Sequence, residues 1–153
     1  MLMDDMMNND IKQASLPHER MMINLALFHL LLPVAAFSSG HIAWILSVAL
    51  IGALVSIGWI AWKAKFAQYD TVLIQQHWQL AWRHAQWLLI SYGVSALIML
   101  VAWLLSSVQP DHNMATIMLV VFSRIAAVPI LLMVLVLFML EMTALSDARK
   151  GAE

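Results

Sequence analysis

The sequence predicts an all-α integral membrane protein with four transmembrane helices in an antiparallel bundle. Of its 153 residues, 63% are hydrophobic and 11% are charged. In soluble domains roughly half of the residues are apolar and about a quarter are charged. A helix needs about 20 apolar residues to cross the hydrocarbon core of a bilayer. Four stretches approach or exceed that length, and the predicted spans are residues 21–37, 42–62, 87–105 and 114–140. The remainder divides into a polar cytoplasmic tail over 1–20, a transmembrane domain over 21–142 and a cytoplasmic tail over 143–153.

The first two spans are predicted to form a tight hairpin. Pro33 lies in the outer half of the first span, and because proline removes a backbone donor we expect a kink there. The turn at residues 38–41 is too short for anything but an antiparallel return. The second span carries small residues one turn apart, which let helix backbones approach closely. These predicted helix-packing residues are Ala49, Gly52, Ala53 and Ser56.

The segment 71–86 is predicted to be an amphipathic interfacial helix, which the sequence allows to be continuous with the third span. Asp70 is its predicted N-cap. Its polar face consists of Gln75, Gln79, Arg83 and Gln86. Its apolar face consists of Ile74, Trp78, Ala81, Trp82 and Ala85.

The distribution of cations predicts the orientation of the spans. In a four-span arrangement, seven of the eight Lys and Arg residues fall on one side, and the other two connections have none. By the positive-inside rule both termini are cytoplasmic, in what we expect to be a bacterial inner membrane. Tryptophans near the span ends predict interfacial belts. The predicted interfacial residues are Trp44, Trp59, Trp62, Trp78, Trp82, Trp87 and Trp103.

The histidines are interpreted as solvated groups at the membrane surface, apart from His29. Haem ligation by two imidazoles requires two histidines at similar depth on facing helices, and His29 has no such partner in the predicted spans. The chain has no cysteine, so thiolate metal sites are excluded. We therefore expect no metal and no cofactor, with a b-type haem or a quinone kept as alternatives. The histidines interpreted as solvated are His18, His41, His77, His84 and His112.

Arg124 is the one charge inside a predicted span, and an intramembrane arginine is a candidate functional residue by default. No carboxylate lies within the four spans as drawn. Counting inward from the outer boundary predicts a polar layer near the bilayer midplane. The residues of this layer are His29, Gly52, Tyr92, Ser95 and Arg124.

Three interpretations of Arg124 remain open at this point. It snorkels to the headgroups or bonds to Ser95, Tyr92 and backbone carbonyls, it pairs with a carboxylate of another membrane protein, or it binds an anionic or carbonyl-bearing ligand such as a lipid phosphate or a quinone.

The predicted function is that of a small non-catalytic membrane protein, an accessory or assembly subunit of a larger inner-membrane complex. The expected partners are the lipid bilayer and a membrane protein that contributes a carboxylate near Arg124. A net charge of −1 gives no field for nucleic acid. We do not expect an enzyme, because no nucleophile and base are spaced for chemistry. A small homo-oligomeric transporter or channel is the alternative, followed by a quinone- or haem-binding subunit.

Overall fold

The computed structural model describes residues 2–69 and 71–151, and this part of the chain is almost entirely helical and contains no strand. The helices are α1 (Leu2–Asn24), a π-helical segment (Leu25–Leu31), α2 (Leu32–Ser39), α3 (Ile42–Phe66), α4 (Val72–Ser107) and α5 (His112–Lys150).

Four helical stretches are long and apolar enough to cross a membrane, and they form a helical bundle. The predicted fold class is therefore confirmed. The stretches are Met7–Ser39, Ile42–Phe66, Val72–Ser107 and His112–Lys150. Each predicted span lies inside one of them, and the helices extend well beyond the predicted ends where α1 and α4 begin and α5 ends.

The first crossing changes from α-helix to π-helix over Leu25–Leu31 and returns to α-helix at Leu32. Pro33 occupies the first turn of α2, where its missing N–H is tolerated. Inside a continuous α-helix its ring would clash with the carbonyl four residues earlier, at His29. The wider π-helical turns lie directly before the proline and bring His29 Nδ1 within 3.2 Å of the Asn24 carbonyl oxygen.

The hairpin turn between α2 and α3 is as short as the sequence predicts. Gly40 follows the last residue of α2 with φ of 74°, the left-handed conformation that glycine adopts without a steric penalty. The helices α2 and α3 pack against each other. Farther down the hairpin, buried Asn24 donates its side-chain N–H to the Ala53 carbonyl oxygen at 3.1 Å.

Helix α4 joins the amphipathic segment to the third span without a break, which confirms that the two are continuous. Asp70, the predicted N-cap, lies outside the described residues. The predicted polar face of Gln75, Gln79, Arg83 and Gln86 is exposed, while Ile74, Trp78, Ala81 and Ala85 are buried and Trp82 is half-buried.

Both polar ends of the chain continue as helix. Helix α1 buries Ala14 and Pro17 before the first span begins, and α5 buries Ala144 and Ala148 after the fourth span ends. Arg149 donates to Glu19 Oε1 at 3.3 Å across these two helices. The periodic alanines explain the packing, since small residues spaced by three or four positions give a helix a flat face.

The chain divides into two compact units. The first contains the residues up to Ala85 together with those from Leu137 onward, and its core includes Met21, Leu25, Ile60 and Ile74. The second covers Gln86–Val136 and is a helical hairpin. Asp111 begins its second helix by accepting hydrogen bonds from the N–H groups of Asn113 and Met114, at 2.8 and 3.4 Å.

A buried cluster of histidines and glutamate as the candidate functional site

Four ionisable side chains meet inside the first unit and form one hydrogen-bonded chain, which we call the relay chain. It runs from His77 through His18 and Glu141 to His84. His77 Nδ1 lies 2.9 Å from His18 Nε2. His18 Nδ1 lies 2.6 Å from Glu141 Oε2, and His84 Nδ1 lies 2.7 Å from Glu141 Oε1.

Three helices supply the relay chain, each from a position that its own packing pattern makes inward-facing. On α1, His18 falls between Ala14 and Met21, which are both fully buried. On α5, Glu141 follows Leu137 by four positions and precedes Ala144 by three. Residues three or four apart share a helix face, so each polar group replaces an apolar one. On α4 the same pattern consists of Ile74, His77, Ala81, His84 and Leu88.

The relay chain is excluded from solvent almost completely. His18 and Glu141 are 0% exposed, and His77 and His84 are 6% and 8% exposed. A buried ionised carboxylate is very unfavourable unless hydrogen-bond donors surround it. Glu141 has such a donor at each oxygen, so both of its oxygens are satisfied.

The hydrogen bonds determine the tautomers of the neutral state. An ionised carboxylate only accepts, so His18 and His84 both carry hydrogen on Nδ1 when Glu141 is charged. A neutral His18 then has a lone pair on Nε2, and His77 must donate from Nδ1 to complete the chain. These three contacts are then satisfied with three neutral imidazoles and one carboxylate.

A cavity of ≈ 270 Å³ lies beside the His77 end of the relay chain. It is lined by Gln76, His77, Gln79, Leu80 and Arg83. This volume holds several water molecules, and four of its five lining residues have polar side chains. His77 therefore connects the buried cluster to a space that water can occupy.

The interpretation of His18, His77 and His84 as solvated groups was wrong, since all three are buried and hydrogen-bonded. His41 and His112 are exposed. Glu141 was overlooked because it lies one residue beyond the predicted end of the fourth span. Two signals were available in the sequence: the shared apolar register on each helix, and a glutamate directly following 27 residues with no acid.

The predicted small-residue face lies in the first unit. Ala49 and Ala53 are buried, and Ser56 is half-buried. The ring of Phe28 lies directly on Gly52, so that a Cβ there would overlap with the ring and would come within 2.7 Å of Phe28 Cζ. Gly52 also lines a ≈ 430 Å³ groove with Arg20 and Trp59, where the Arg20 guanidinium lies 5.6 Å from the Trp59 ring centre.

The residues of the predicted midplane layer belong to both units. His29 is buried and donates to a backbone carbonyl within the first unit. In the second unit Tyr92 is half-buried, and Ser95 is buried with no hydrogen-bond partner for its hydroxyl in the described chain. Arg124 is exposed on α5. That these residues act as one layer stays a prediction.

The predicted interfacial tryptophans differ in exposure. Trp44, Trp59, Trp62, Trp87 and Trp103 are exposed, and Trp82 is half-buried. The side chain of Trp78 is 4% exposed and thus buried within the protein, and its position at the headgroup level stays a prediction. It stacks on Tyr69 with ring centres 6.1 Å apart.

No group of three or more His, Asp or Glu side chains within residues 7–69 and 71–151 is arranged to hold a metal ion. In the relay chain the reason is geometric: His18 directs its two ring nitrogens to different partners, one to Glu141 and one to His77. Comparison of the chain with protein-family models, curated proteins and solved structures finds no match.

Proposed function

We propose that the protein is a non-catalytic subunit of a larger membrane complex, and that Arg124 is the residue by which it pairs with an acidic partner. The observation that carries this proposal is the exposure of Arg124 on an apolar helix surface. It makes no hydrogen bond or ion pair with any residue in the described part of the chain.

The surroundings of Arg124 make a lipid-only environment costly. Val121, Ile125 and Val128 on the same stretch of α5 are each close to half exposed. An arginine at the centre of a membrane helix costs about 2.5–3.5 kcal/mol even on insertion scales that give low values. A carboxylate from a second protein would offset this penalty with a bidentate, charge-assisted contact.

The exposed apolar surface supports the same proposal. In the most apolar window of each crossing, only 17–28% of the residues are buried inside the protein. Most of the apolar side chains must therefore face lipid or another membrane protein. A small chain with this much lateral surface is suited to assembly within a bilayer.

We further propose that the protein resides in a bacterial inner membrane with both termini in the cytoplasm. The support is the arrangement of cations: seven lie at the same end of the four crossings, and Arg124 is the eighth. The relay chain is then at the cytoplasmic side, since His18, His77 and His84 lie among those cations in the sequence.

The proposal is tested by purifying the protein from native membranes in a mild detergent as wild type, Arg124→Lys and Arg124→Leu. We expect one acidic membrane partner to co-purify with the wild type. Arg124→Leu should lose it, because the partner's unpaired charge then costs about 3–5 kcal/mol. Arg124→Lys should retain it only in part, because lysine cannot form a bidentate contact.

The matched control is Val128→Leu, which changes the shape of the same helix surface one turn away without changing charge. It should recover the partner at the wild-type level. A charge swap adds a second check: Arg124→Glu should regain the partner when the partner's acid is replaced with arginine. Equal recovery in all variants, or a monodisperse monomer or homo-oligomer without a partner after cross-linking, would contradict the proposal.

A further inference from the structure

A groove in the surface of the first unit lies between the first and second crossings, and it has cations at one end and an apolar floor along the rest. Its volume of ≈ 430 Å³ is within the range of about 300–1,000 Å³ that is usual for ligand sites. We propose that this groove binds one anionic phospholipid, with the phosphate at Arg20 and Lys63 and one acyl chain along the floor. This inference goes beyond the proposed assembly function and does not depend on Arg124.

Each of the two crossings contributes one helix face to the groove. The lining residues of α3 follow the spacing of three and four positions that marks one side of an α-helix. They are Gly52, Val55, Ser56 and Trp59. The first crossing contributes Arg20, Ile23 and Phe28. The step of five positions from Ile23 to Phe28 matches the wider turns of the π-helical segment, which explains how the Phe28 ring comes to lie over Gly52.

Two cations lie beside the same tryptophan at one end of the groove. The Arg20 guanidinium is 5.6 Å and Lys63 Nζ is 5.9 Å from the centre of the Trp59 ring. Neither side chain forms an ion pair or a hydrogen bond with a residue in the described part of the chain. Arginine carries five N–H donors and lysine three. This end of the groove therefore offers two positive charges and a set of hydrogen-bond donors to an anion.

The floor of the groove beyond the cations suits an acyl chain. The side chains of Ile23 and Val55 are 60% and 68% exposed, although both lie within membrane-crossing helices. Ser56 is the one polar side chain among the residues that line this part. The floor extends to Gly52, about two turns along α3 from Trp59. An acyl chain placed there would cover apolar surface that the protein itself leaves open.

The order of groups along the groove matches the order of groups in a phospholipid. Trp59 and Lys63 lie within about two turns of the end of α3 at Phe66, and tryptophans near span ends are typical of the headgroup level. The apolar floor leads from there toward the middle of the helix. Glu19, which adjoins Arg20 in the sequence, pairs with Arg149 instead. Basic pockets between membrane helices are typical binding sites for anionic headgroups.

The two parts of the groove distinguish this ligand from simpler ones. Free phosphate would use the cations and gain nothing from the apolar floor. A zwitterionic lipid would use the floor, but its own positive charge would oppose Arg20 and Lys63. Only a ligand that combines an acyl chain with a net negative charge gains from both parts, and the bilayer supplies such lipids directly to a groove on the protein surface.

Native mass spectrometry of the full-length, delipidated protein in detergent tests the proposal, because it counts bound lipid molecules. Phosphatidylglycerol and phosphatidylcholine with identical acyl chains provide the anionic and the zwitterionic probe. We expect the first phosphatidylglycerol to bind about tenfold more tightly than the first phosphatidylcholine, as one additional charge-assisted contact predicts. Excess inorganic phosphate should not displace it, because phosphate has no acyl chain.

Charge variants test the headgroup end. Arg20→Gln and Lys63→Gln should each lower the affinity for phosphatidylglycerol about tenfold and leave the affinity for phosphatidylcholine near the wild-type value. Lys65→Gln is the matched control, since it removes a cation from the same end of α3 that lies beside Trp82 instead. It should retain the preference for phosphatidylglycerol, and so should Arg124→Gln.

Volume variants test the floor. Val55→Trp should fill the groove and weaken the binding of both lipids. Leu54→Trp is its control, because Leu54 is 43% exposed and lies about 100° farther round the same helix. A phosphatidylglycerol with a photoreactive group in its acyl chain provides a check on the wild type even if a variant does not fold. It should label residues 23–28 and 52–59.

Four results would overturn the proposal. The first is equal affinity of the wild type for the two lipids, or no binding of either, as expected if another protein covers the groove. The second is displacement of phosphatidylglycerol by inorganic phosphate, which would indicate a site for free anions. The third is an equal loss of preference in Lys65→Gln, which would indicate a diffuse attraction to all cations at this end. The fourth is acyl-chain label spread evenly over the four crossings.

Discussion

His18 on α1 and Glu141 on α5 are 123 positions apart in the chain and are joined by a buried hydrogen bond of 2.6 Å. Both side chains are 0% exposed. The contact therefore fixes the N-terminal helix against the C-terminal one by a polar bond whose partners have no water to replace it. Loss of either partner leaves the other buried and unsatisfied, which is more costly than loss of an exposed bond.

Glu141→Ala is expected to destabilise the protein strongly. It removes the acceptor of two buried N–H donors, His18 Nδ1 and His84 Nδ1, and each buried unsatisfied group costs about 1–3 kcal/mol. We expect a loss of about 2–5 kcal/mol in the free energy of unfolding, measured by SDS titration in mixed micelles. Glu19→Ala is the control, because its pair with Arg149 is partly exposed and should contribute about 0–1 kcal/mol.

Replacing the whole relay chain should be better tolerated than breaking it. In a variant with leucine at positions 18, 77, 84 and 141, the three buried hydrogen bonds lose donor and acceptor together, and buried polar networks are often replaced by apolar residues at little cost. We expect this variant to unfold at a higher SDS fraction than Glu141→Ala. A quadruple variant less stable than Glu141→Ala would show that these polar groups are required for packing itself.

Gly52→Ala should destabilise the hairpin of the first unit. The added Cβ would overlap with the Phe28 ring, and overpacking of this kind costs about 1–3 kcal/mol. Gly58→Ala is a matched control on the same helix, since nothing lies within 4 Å of its Cβ position. There we expect a gain of about 0.5–1 kcal/mol, because alanine is the better helix former. The two variants should thus shift the unfolding midpoint in opposite directions.

Reporter fusions test the orientation. Fusions after Gly40 and after Gln109 should report the periplasm, because those connections carry no cation. Fusions after Gln68 and at the C-terminus should report the cytoplasm, as the positive-inside rule requires. Any exchange between these two sets would contradict the proposed topology.

Tyr69 lies in the connection between α3 and α4, and burial there raises the pKa of its phenol above the usual value. Its hydroxyl donates to the Lys63 carbonyl oxygen at 3.2 Å. Between the ordinary value of about 10 and the raised one, the unfolded chain loses its proton first. Stability should therefore fall as pH rises through this window. Tyrosinate absorbance is titrated in the wild type and in Tyr69→Phe, and the difference between the two curves reports Tyr69 alone. The midpoint of this difference curve should return to the ordinary tyrosine value on unfolding.

The four crossings could be predicted because a run of about 20 apolar residues is a local property of the sequence. The continuity of α4 was also accessible, since the amphipathic face of Ile74, Trp78 and Ala81 leads into the apolar run without a glycine or proline. The helical ends of the chain were not predicted, because their low hydrophobicity resembles that of a solvated tail. Their packing depends on alanines such as Ala14 and Ala148, whose small size is not conspicuous in a hydropathy pattern.

The relay chain was missed for a different reason. Each of its members, considered alone, is a polar residue near the end of a membrane helix, and such residues are usually solvated. What distinguishes them is the partner, and the partners lie 57, 59 and 123 positions away. The environment of Arg124 is even harder to predict from the sequence, because it depends on what lies against the exposed surface of α5.

The distance in sequence between His18 and Glu141 also sets an order of events during synthesis. Translation proceeds at about 5–20 residues per second, so roughly 6–25 s pass between the addition of the two residues. Throughout that interval His18 lacks its carboxylate partner Glu141, and until α4 has been synthesised it also lacks His77. Until the last turns of α5 leave the ribosome, water or polar groups at the lipid surface must therefore satisfy His18 in place of Glu141.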